Sequence, residues 1–444
     1  GKNAIIVTPS ADPDLAVRDI VHSAFAHAGQ KCSASSLLIL VGSAGRSARI
    51  ARQLVDATAS LRVGLPASLD SQVGPVVVPD DEKAVRGLTT LGEGEHWVLK
   101  PRYLGDGLWT PGIRAGVVPG SEFHLTEYFA PVLGVMRVDT LEEAIEAVNQ
   151  VDYGLTSGLQ TLDTDELAAW LEGIEAGNLY VNRGITGAIV RRQPFGGWKR
   201  SAIGSTTKAG GPSYLLGLGD IEAVRDTSVG MRASQRAPLA SGVLALCESV
   251  RGQLSEADMT DLRRALAADA DAWASDYGVN RDVTSLACER NILRYRPTPV
   301  LVRAGGGTSL VDTVRVLAAG ILAGGPIGLS VADDLPLPLR QFLESAGVDV
   351  SVEDDHTWNA RLAGVATSGG LGVRVRILGP REETSEQRWV HASRASWGSP
   401  DVALYTGAVT PCPHSELAPF LREQAVSITN HRFGTPLDLA AQLL

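Results

Sequence analysis

Phe25-Ala-His-Ala-Gly-Gln-Lys-Cys-Ser33 places one cysteine, Cys32, just past the expected end of a helix and just ahead of an apolar run. Asp12 and Pro13 supply a capping residue and a proline at the first helical position, and Gly29 suits the left-handed residue that closes a helix. A helix is therefore expected from Asp12 to Ala28, with Cys32 on a turn. A thiol there, beside Lys31 and near backbone N–H groups outside the helix, is placed to ionise, to attack a carbonyl and to have the resulting oxyanion stabilised. Position alone leaves open the ordinary alternative of a small buried hydrophobe.

Outward from this stretch, β-rich runs at Ala4 to Thr8 and Ser36 to Val41 flank the helix, giving the order strand, helix, cysteine turn, strand. The alternation continues. Thr140 and Glu143 have capping-box spacing ahead of a helix to about Asn149, and Thr164 begins another expected to reach Gly177 before a strand over Asn178 to Asn182. This is an α/β pattern, a sheet with parallel strands covered by helices.

Between about Asp220 and Val250 the periodicity weakens around Gly230, Ser234, Pro238 and Gly242, which reads as a connector. From Leu254 to Tyr277, Leu262, Leu266, Trp273 and Tyr277 form a helical stripe expected to be a packing face. Strand-like runs at Pro299 to Arg303 and Val373 to Leu378, with a long apolar segment to Val331 between them, suggest a second α/β unit. Gly305-Gly-Gly-Thr-Ser309 follows the first of these strands, but it lacks G-x-G-x-x-G and a P-loop lysine, so a structural turn is expected. The expected division is 1–220, 221–289 for the connector and amphipathic helix, and 290–444.

With 444 residues, more than one domain is expected. A formal net charge of -10 argues against nucleic acid as the main ligand. Cys32, Cys247, Cys288 and Cys412 are widely spaced without a C-x-x-C pair, so no metal site or disulfide framework is expected, and reduced thiols fit the cytoplasm. The stretch Val316 to Ala332, interrupted by glycines and a proline, is too short to span a bilayer. His22 and His27 lie about 140° apart around a helix and are expected to be surface or packing residues rather than partners of the thiol.

The pattern F-x-x-x-G-Q-x-C-S resembles the active-site cysteine motif of the aldehyde dehydrogenase superfamily. Gly1-Lys-Asn-Ala4 is similar to the end of that family's E-L-G-G-K-N-A segment, and Pro194-Phe-Gly-Gly197 to its P-F-G-G segment. Glu127-Tyr-Phe-Ala-Pro-Val132 resembles its E-x-F-G-P-V segment, with Ala130 where glycine is usual. Asn182-Arg-Gly-Ile-Thr-Gly-Ala-Ile-Val190, Gln193 and Lys208-Ala-Gly-Gly-Pro-Ser-Tyr214 narrow the resemblance to glutamate-semialdehyde (pyrroline-5-carboxylate) dehydrogenases. Arg290-Asn-Ile-Leu-Arg-Tyr-Arg-Pro-Thr-Pro-Val300 and the run from Arg422 to Pro436 resemble the extra C-terminal domain of long, bifunctional proline utilization A flavoproteins.

That resemblance implies an aldehyde dehydrogenase catalytic domain followed by a C-terminal, α/β, Rossmann-like domain of the same superfamily. It implies NAD-dependent oxidation of glutamate semialdehyde to glutamate, with Cys32 as nucleophile, Glu127 on the nicotinamide ribose and Phe129 beside the nicotinamide. Backbone N–H groups of Gly187 and Ala188, with Ser33, would hold the substrate's carboxylate end, and Phe195 would cover its aliphatic carbons. Residues 428–436 would help seal the active site. Gly1 in place of methionine suggests a cut chain, with the family's general-base glutamate, nucleotide-binding fold and FAD-dependent proline dehydrogenase domain lying upstream, and a homo-oligomer is expected. Two alternatives remain: a catalytically silent scaffold for assembly or tunnel sealing, and a cysteine acyl-transfer enzyme that uses no nicotinamide.

Overall fold

The computed structural model describes residues 1–205, 207–219, 221, 237–282, 284–367, 372–441 and 443–444. Residues 222–236 of the expected connector lie outside them, and its end is a helix, Ser241–Ser249, that buries Val243 and Leu246 rather than a linker. The chain forms two compact units, Gly1–Ser201 with Asp282–Leu293 and Gln424–Leu444, and Ala202–Arg281 with Arg294–Glu423. These do not share boundaries with the linear division 1–220, 221–289, 290–444. The reason is strand pairing: Leu421–Thr429 pairs in parallel with Asn178–Val181 through Ala425 to Ile428, so a late segment completes the first unit's sheet.

In that sheet Asn178–Val181, Thr156–Gln160, Asn3–Val7, Ser35–Val41, Val132–Val138 and Gly112–Val117 are successive parallel neighbours, and His96–Leu99 adds an antiparallel edge. Every residue of Asn3–Val7 is buried, as expected for a strand covered on both faces. Alternate side chains divide between two cores. Ala4, Ile6, Leu37 and Ile39 pack with Ile145 and Trp170 from helices Leu141–Asn149 and Thr164–Gly173. Ile5, Val7, Leu38 and Leu40 pack with Ile20 and Phe25 of helix Pro13–Phe25. Each fully buried aliphatic or aromatic side chain contributes about 1.5–3 kcal/mol.

Capping signals were reliable at helix starts and less so at helix ends. Asp12 Oδ1 accepts from the N–H groups of Asp14 and Leu15, and Thr140 and Glu143 form the reciprocal capping box. Helix Pro13–Phe25 stops short of Ala28 because His27, Ala28 and Gly29 all take left-handed φ values, 56°, 54° and 69°. Helix Thr164–Gly173 likewise stops before Gly177. The Asn149 side chain donates to Gly173 O and accepts from Glu175 N, replacing the bonds a further turn would make.

The second unit holds a parallel sheet ordered Asp349–Val352, Ile327–Val331, Val300–Ala304, Val373–Leu378, Val402–Tyr405, so strand order reverses beside Val300–Ala304 as in doubly wound nucleotide-binding folds. After that strand, Thr308 donates both its N–H and its hydroxyl to Gly305 O, and Ser309 caps helix Leu310–Ala323. The glycine run is thus a turn closed by its own bonds. Leu262, Leu266 and Tyr277 are buried in this unit's core, with Trp273 packed against it. Among the described residues no helix is long and apolar enough to cross a membrane.

Helix Glu256–Ala272 is fixed to helix Leu310–Ala323 by a buried ion pair, with Arg315 Nη1 and Nη2 at 2.6 and 2.8 Å from the two oxygens of Asp269. Both residues are at most 4% exposed. Removing one partner leaves an uncompensated buried charge. Asp269→Ala is therefore expected to cost about 3 kcal/mol in denaturant unfolding; a loss below about 0.5 kcal/mol, ordinary for a surface change, would show that the pair does not hold these helices together.

Candidate functional site

Cys32 is exposed, and the backbone carrying it is held from below. The buried Asn3 side chain donates from Nδ2 to Cys32 O at 2.8 Å and Ala34 O at 3.0 Å, while its Oδ1 accepts from Thr156 N at 3.1 Å. One amide thus joins the cysteine turn to two strands of the sheet. Ala34 N also donates to Lys31 O, closing the turn. Gln30 fastens its other side, accepting from Val77 N at 2.7 Å and donating to Pro75 O at 3.2 Å. Ser33 is 5% exposed, and its carbonyl accepts from Thr156 Oγ1.

Gly29 connects this turn to the segment beginning at Glu127. A Cβ on Gly29 would stand 2.4 Å from Ala130 O, closer than any side chain allows, and φ of +69° also favours glycine. The close approach makes a narrow cleft lined by Gly29, Lys31, Ala34, Glu127, Phe129 and Ala130. Phe129 takes the left-handed φ, +55°, and leaves its side chain partly exposed, at 39%. Ala130 is not among the residues with positive φ, so a methyl where glycine is usual introduces no left-handed strain. Glu127 is partly buried, and its Oε2 has no hydrogen-bond partner among the described residues.

Under the cleft lies a group of cations that sequence reading did not single out. Lys2 Nζ is fully buried, has no hydrogen-bond partner among the described residues and sits 3.8 Å from the centre of the Phe123 ring. Arg114 packs its guanidinium 4.1 Å from the same ring and pairs with Glu95 at 2.8 Å. Burial, reinforced by Arg114 and opposed by Glu127 and Glu95, lowers the Lys2 ammonium to about 7. The unfolded chain then holds more protons than the folded one between about 7 and the ordinary lysine value, so Lys2 makes stability rise with pH across that window. Lys2→Met is expected to raise Tm more at neutral pH than at a pH near the top of that window; equal gains would contradict a charge penalty at this position.

Cys32 and Ser33 lie between the lining residues Lys31 and Ala34 without lining the cleft themselves, and Gly187, Ala188 and Phe195 belong to the loop after strand Asn178–Val181. The loop is tied to the helix that leads to Cys32, with Ile185 N donating to Ser23 Oγ at 3.0 Å. Gly187 and Ala188 are exposed, and their N–H groups have no acceptor among the described residues. Phe195 is half-buried between positions fixed by Asn178, whose side chain donates to Pro194 O and accepts from Gly196 N. His22 and His27 are exposed. Asn3 and Gln193 stood within the quoted motifs, but their bonds reach residues more than 90 positions away and leave no local signal.

Residues 1–218 match the sequence pattern of the Aldehyde dehydrogenase family. The 1-pyrroline-5-carboxylate dehydrogenases of Geobacillus sp. (strain WCH70) and Bacillus subtilis (strain 168) are each 36% identical over 219 residues, covering 49% of this chain and 42% of those proteins. The solved structure of proline utilization A (PutA) from Corynebacterium freiburgense is 41% identical, with a TM-score of 0.76, and the match covers 98% of this chain and 39% of that one. The chain thus spans about two fifths of the length of these relatives.

Proposed function

We propose that the chain, whose residues 1–218 match the aldehyde dehydrogenase family pattern, takes part in oxidising glutamate semialdehyde, the hydrolysed form of 1-pyrroline-5-carboxylate, to glutamate, with NAD as cofactor. The observation that carries the reading is the packing of Gly29 on Ala130, which sets an exposed cysteine turn beside the Glu127–Phe129 segment. Similarity to the Corynebacterium protein across 98% of the chain supports a place within a proline utilization A protein.

Cys32 Sγ adds to the aldehyde carbon to form a thiohemiacetal, which passes to a thioester; water then releases glutamate and restores the thiol. NAD, when bound, supplies the acceptor for the hydride that leaves as the thioester forms. The residues present fit that cofactor: Glu127 offers an unpartnered Oε2 to a ribose hydroxyl, and Phe129 offers a partly exposed ring to the flat nicotinamide. Asn3 holds the Cys32 carbonyl and with it the backbone that carries the thiol. The unpartnered N–H groups of Gly187 and Ala188 suit the α-carboxylate, Ser33 adds a hydroxyl, and Phe195 covers the aliphatic carbons.

The test is formation of reduced nicotinamide by the full-length protein with glutamate semialdehyde, compared with propanal, which lacks the amino and carboxylate groups. The expected result is a kcat/KM higher for glutamate semialdehyde by about a hundredfold or more, because a site built for polar groups discriminates strongly against a substrate lacking them. No turnover with either aldehyde would leave the scaffold reading in its place.

A further inference from the structure

We propose that Asn291, together with Glu289 and Ser427, is a specificity-determining positioning element: it shapes the 183–193 loop so that Gly187 and Ala188 can present their N–H groups to the substrate's α-carboxylate. The inference rests on the proposed glutamate semialdehyde reading. It concerns residues beyond the 1–218 family match.

The loop has little structure of its own. Gly187 and Arg191 take left-handed φ values of 80° and 67°, and residues 187–191 are exposed. Its form comes from its two ends. Arg183 Nη1 donates to Glu289 Oε2 and to Ser427 Oγ, both at 2.7 Å, and Arg192 Nη1 donates to Glu289 Oε1 at 2.8 Å. One carboxylate therefore holds the arginines on both sides of the exposed segment. Burial pushes Glu289 up, but hydrogen bonds from Asn291 and Arg183 and the charges of Arg183 and Arg192 outweigh it and hold the carboxyl below its ordinary value, so it is ionised at neutral pH.

Inside this clamp lies a second connection. Gln193, 4% exposed, donates from Nε2 to Asn291 Oδ1 at 2.7 Å and to Ser427 Oγ at 3.0 Å, and Ser427 Oγ donates to Asn291 Oδ1 at 2.7 Å. With its Nε2 so fixed, Gln193 turns Oε1 toward the loop, where it accepts from Ile189 N at 2.8 Å. Ile189 immediately follows Ala188. The chain of bonds thus runs from Asn291 through the Gln193 amide to the peptide beside the two N–H groups that have no acceptor. Asn291 is 2% exposed and Ser427 fully buried, so neither can exchange these bonds for water at no cost. Asn291 is itself held by donation from Nδ2 to Glu289 Oε1 and Thr284 Oγ1 and from its backbone N–H to Asp282 Oδ2.

Asn291→Ala removes the acceptor that orients Gln193. In the full-length protein, KM for glutamate semialdehyde is expected to rise about tenfold, with kcat changed less and kcat/KM for propanal within about twofold of the unaltered protein. Arg192→Met, at a side chain 40% exposed and so tolerant of replacement, tests the clamp if Asn291→Ala does not fold, and is expected to move the same ratio in the same direction. An unchanged ratio of kcat/KM values for the two aldehydes in every variant that folds would overturn the proposal, as would an equal loss for both aldehydes. Failure of the unaltered protein to prefer glutamate semialdehyde would instead overturn the functional reading itself.

Discussion

Replacing Cys32 with alanine is expected to lower kcat for glutamate semialdehyde by about ten-thousandfold or more while leaving Tm unchanged. The thiol is exposed at the surface of a turn fixed through backbone atoms, by Asn3 to Cys32 O and Ala34 O and by Gln30 to Pro75 and Val77. Its sulfur therefore contributes little to packing, and loss of the covalent step is the whole effect. Steady-state rates with a thermal melt on the same samples separate the two. Retention of a tenth of the activity would mean that another group accepts the aldehyde carbon.

Gly29→Val is expected to cost about 4–5 kcal/mol in unfolding and to abolish turnover in whatever folded protein remains. Two terms add: a β-branched residue forced to a φ of +69°, and a Cβ that would stand 2.4 Å from Ala130 O and 2.9 Å from its carbonyl carbon. Backbone cannot give way as a flexible side chain can. Relief would move the cysteine turn away from the Glu127–Phe129 segment, so stability and activity should fall together. Gly74→Ala, at a glycine with nothing within 4 Å of the added carbon, is the control and should be near neutral. A Gly29→Val protein of normal stability and rate would remove the packing on which the cleft depends.

Much of the fold was legible because it is written locally. The strands around Cys32 were found as continuous apolar runs, the form that a parallel sheet covered on both faces requires. Asp12 and the Thr140–Glu143 pair marked helix starts because a cap acts within four residues. Helix ends were harder. Three successive left-handed residues at 27–29 and the side chain of Asn149 ended helices that periodicity alone extended.

The site divides in the same way. Cys32, Glu127 and Phe129 stand out as candidates because their motifs are short, and Gly29, which suits a helix terminator, is where two of those motifs touch. Asn3, Lys2 and the Gln193–Asn291–Ser427 group could not be assigned tasks from sequence. Their partners lie up to 234 positions away, and nothing in a window of sequence records such a meeting.

In the proposed oxidation of glutamate semialdehyde, Cys32 carries the acyl group. The most direct measurement is peptide mass spectrometry of the full-length protein quenched with acid during turnover with glutamate semialdehyde and NAD. A glutamyl thioester is expected on the peptide containing Cys32, present during turnover, absent without NAD and absent in Cys32→Ala. Steady production of glutamate with an unmodified Cys32 peptide, or with the adduct on Cys247, Cys288 or Cys412, would contradict it.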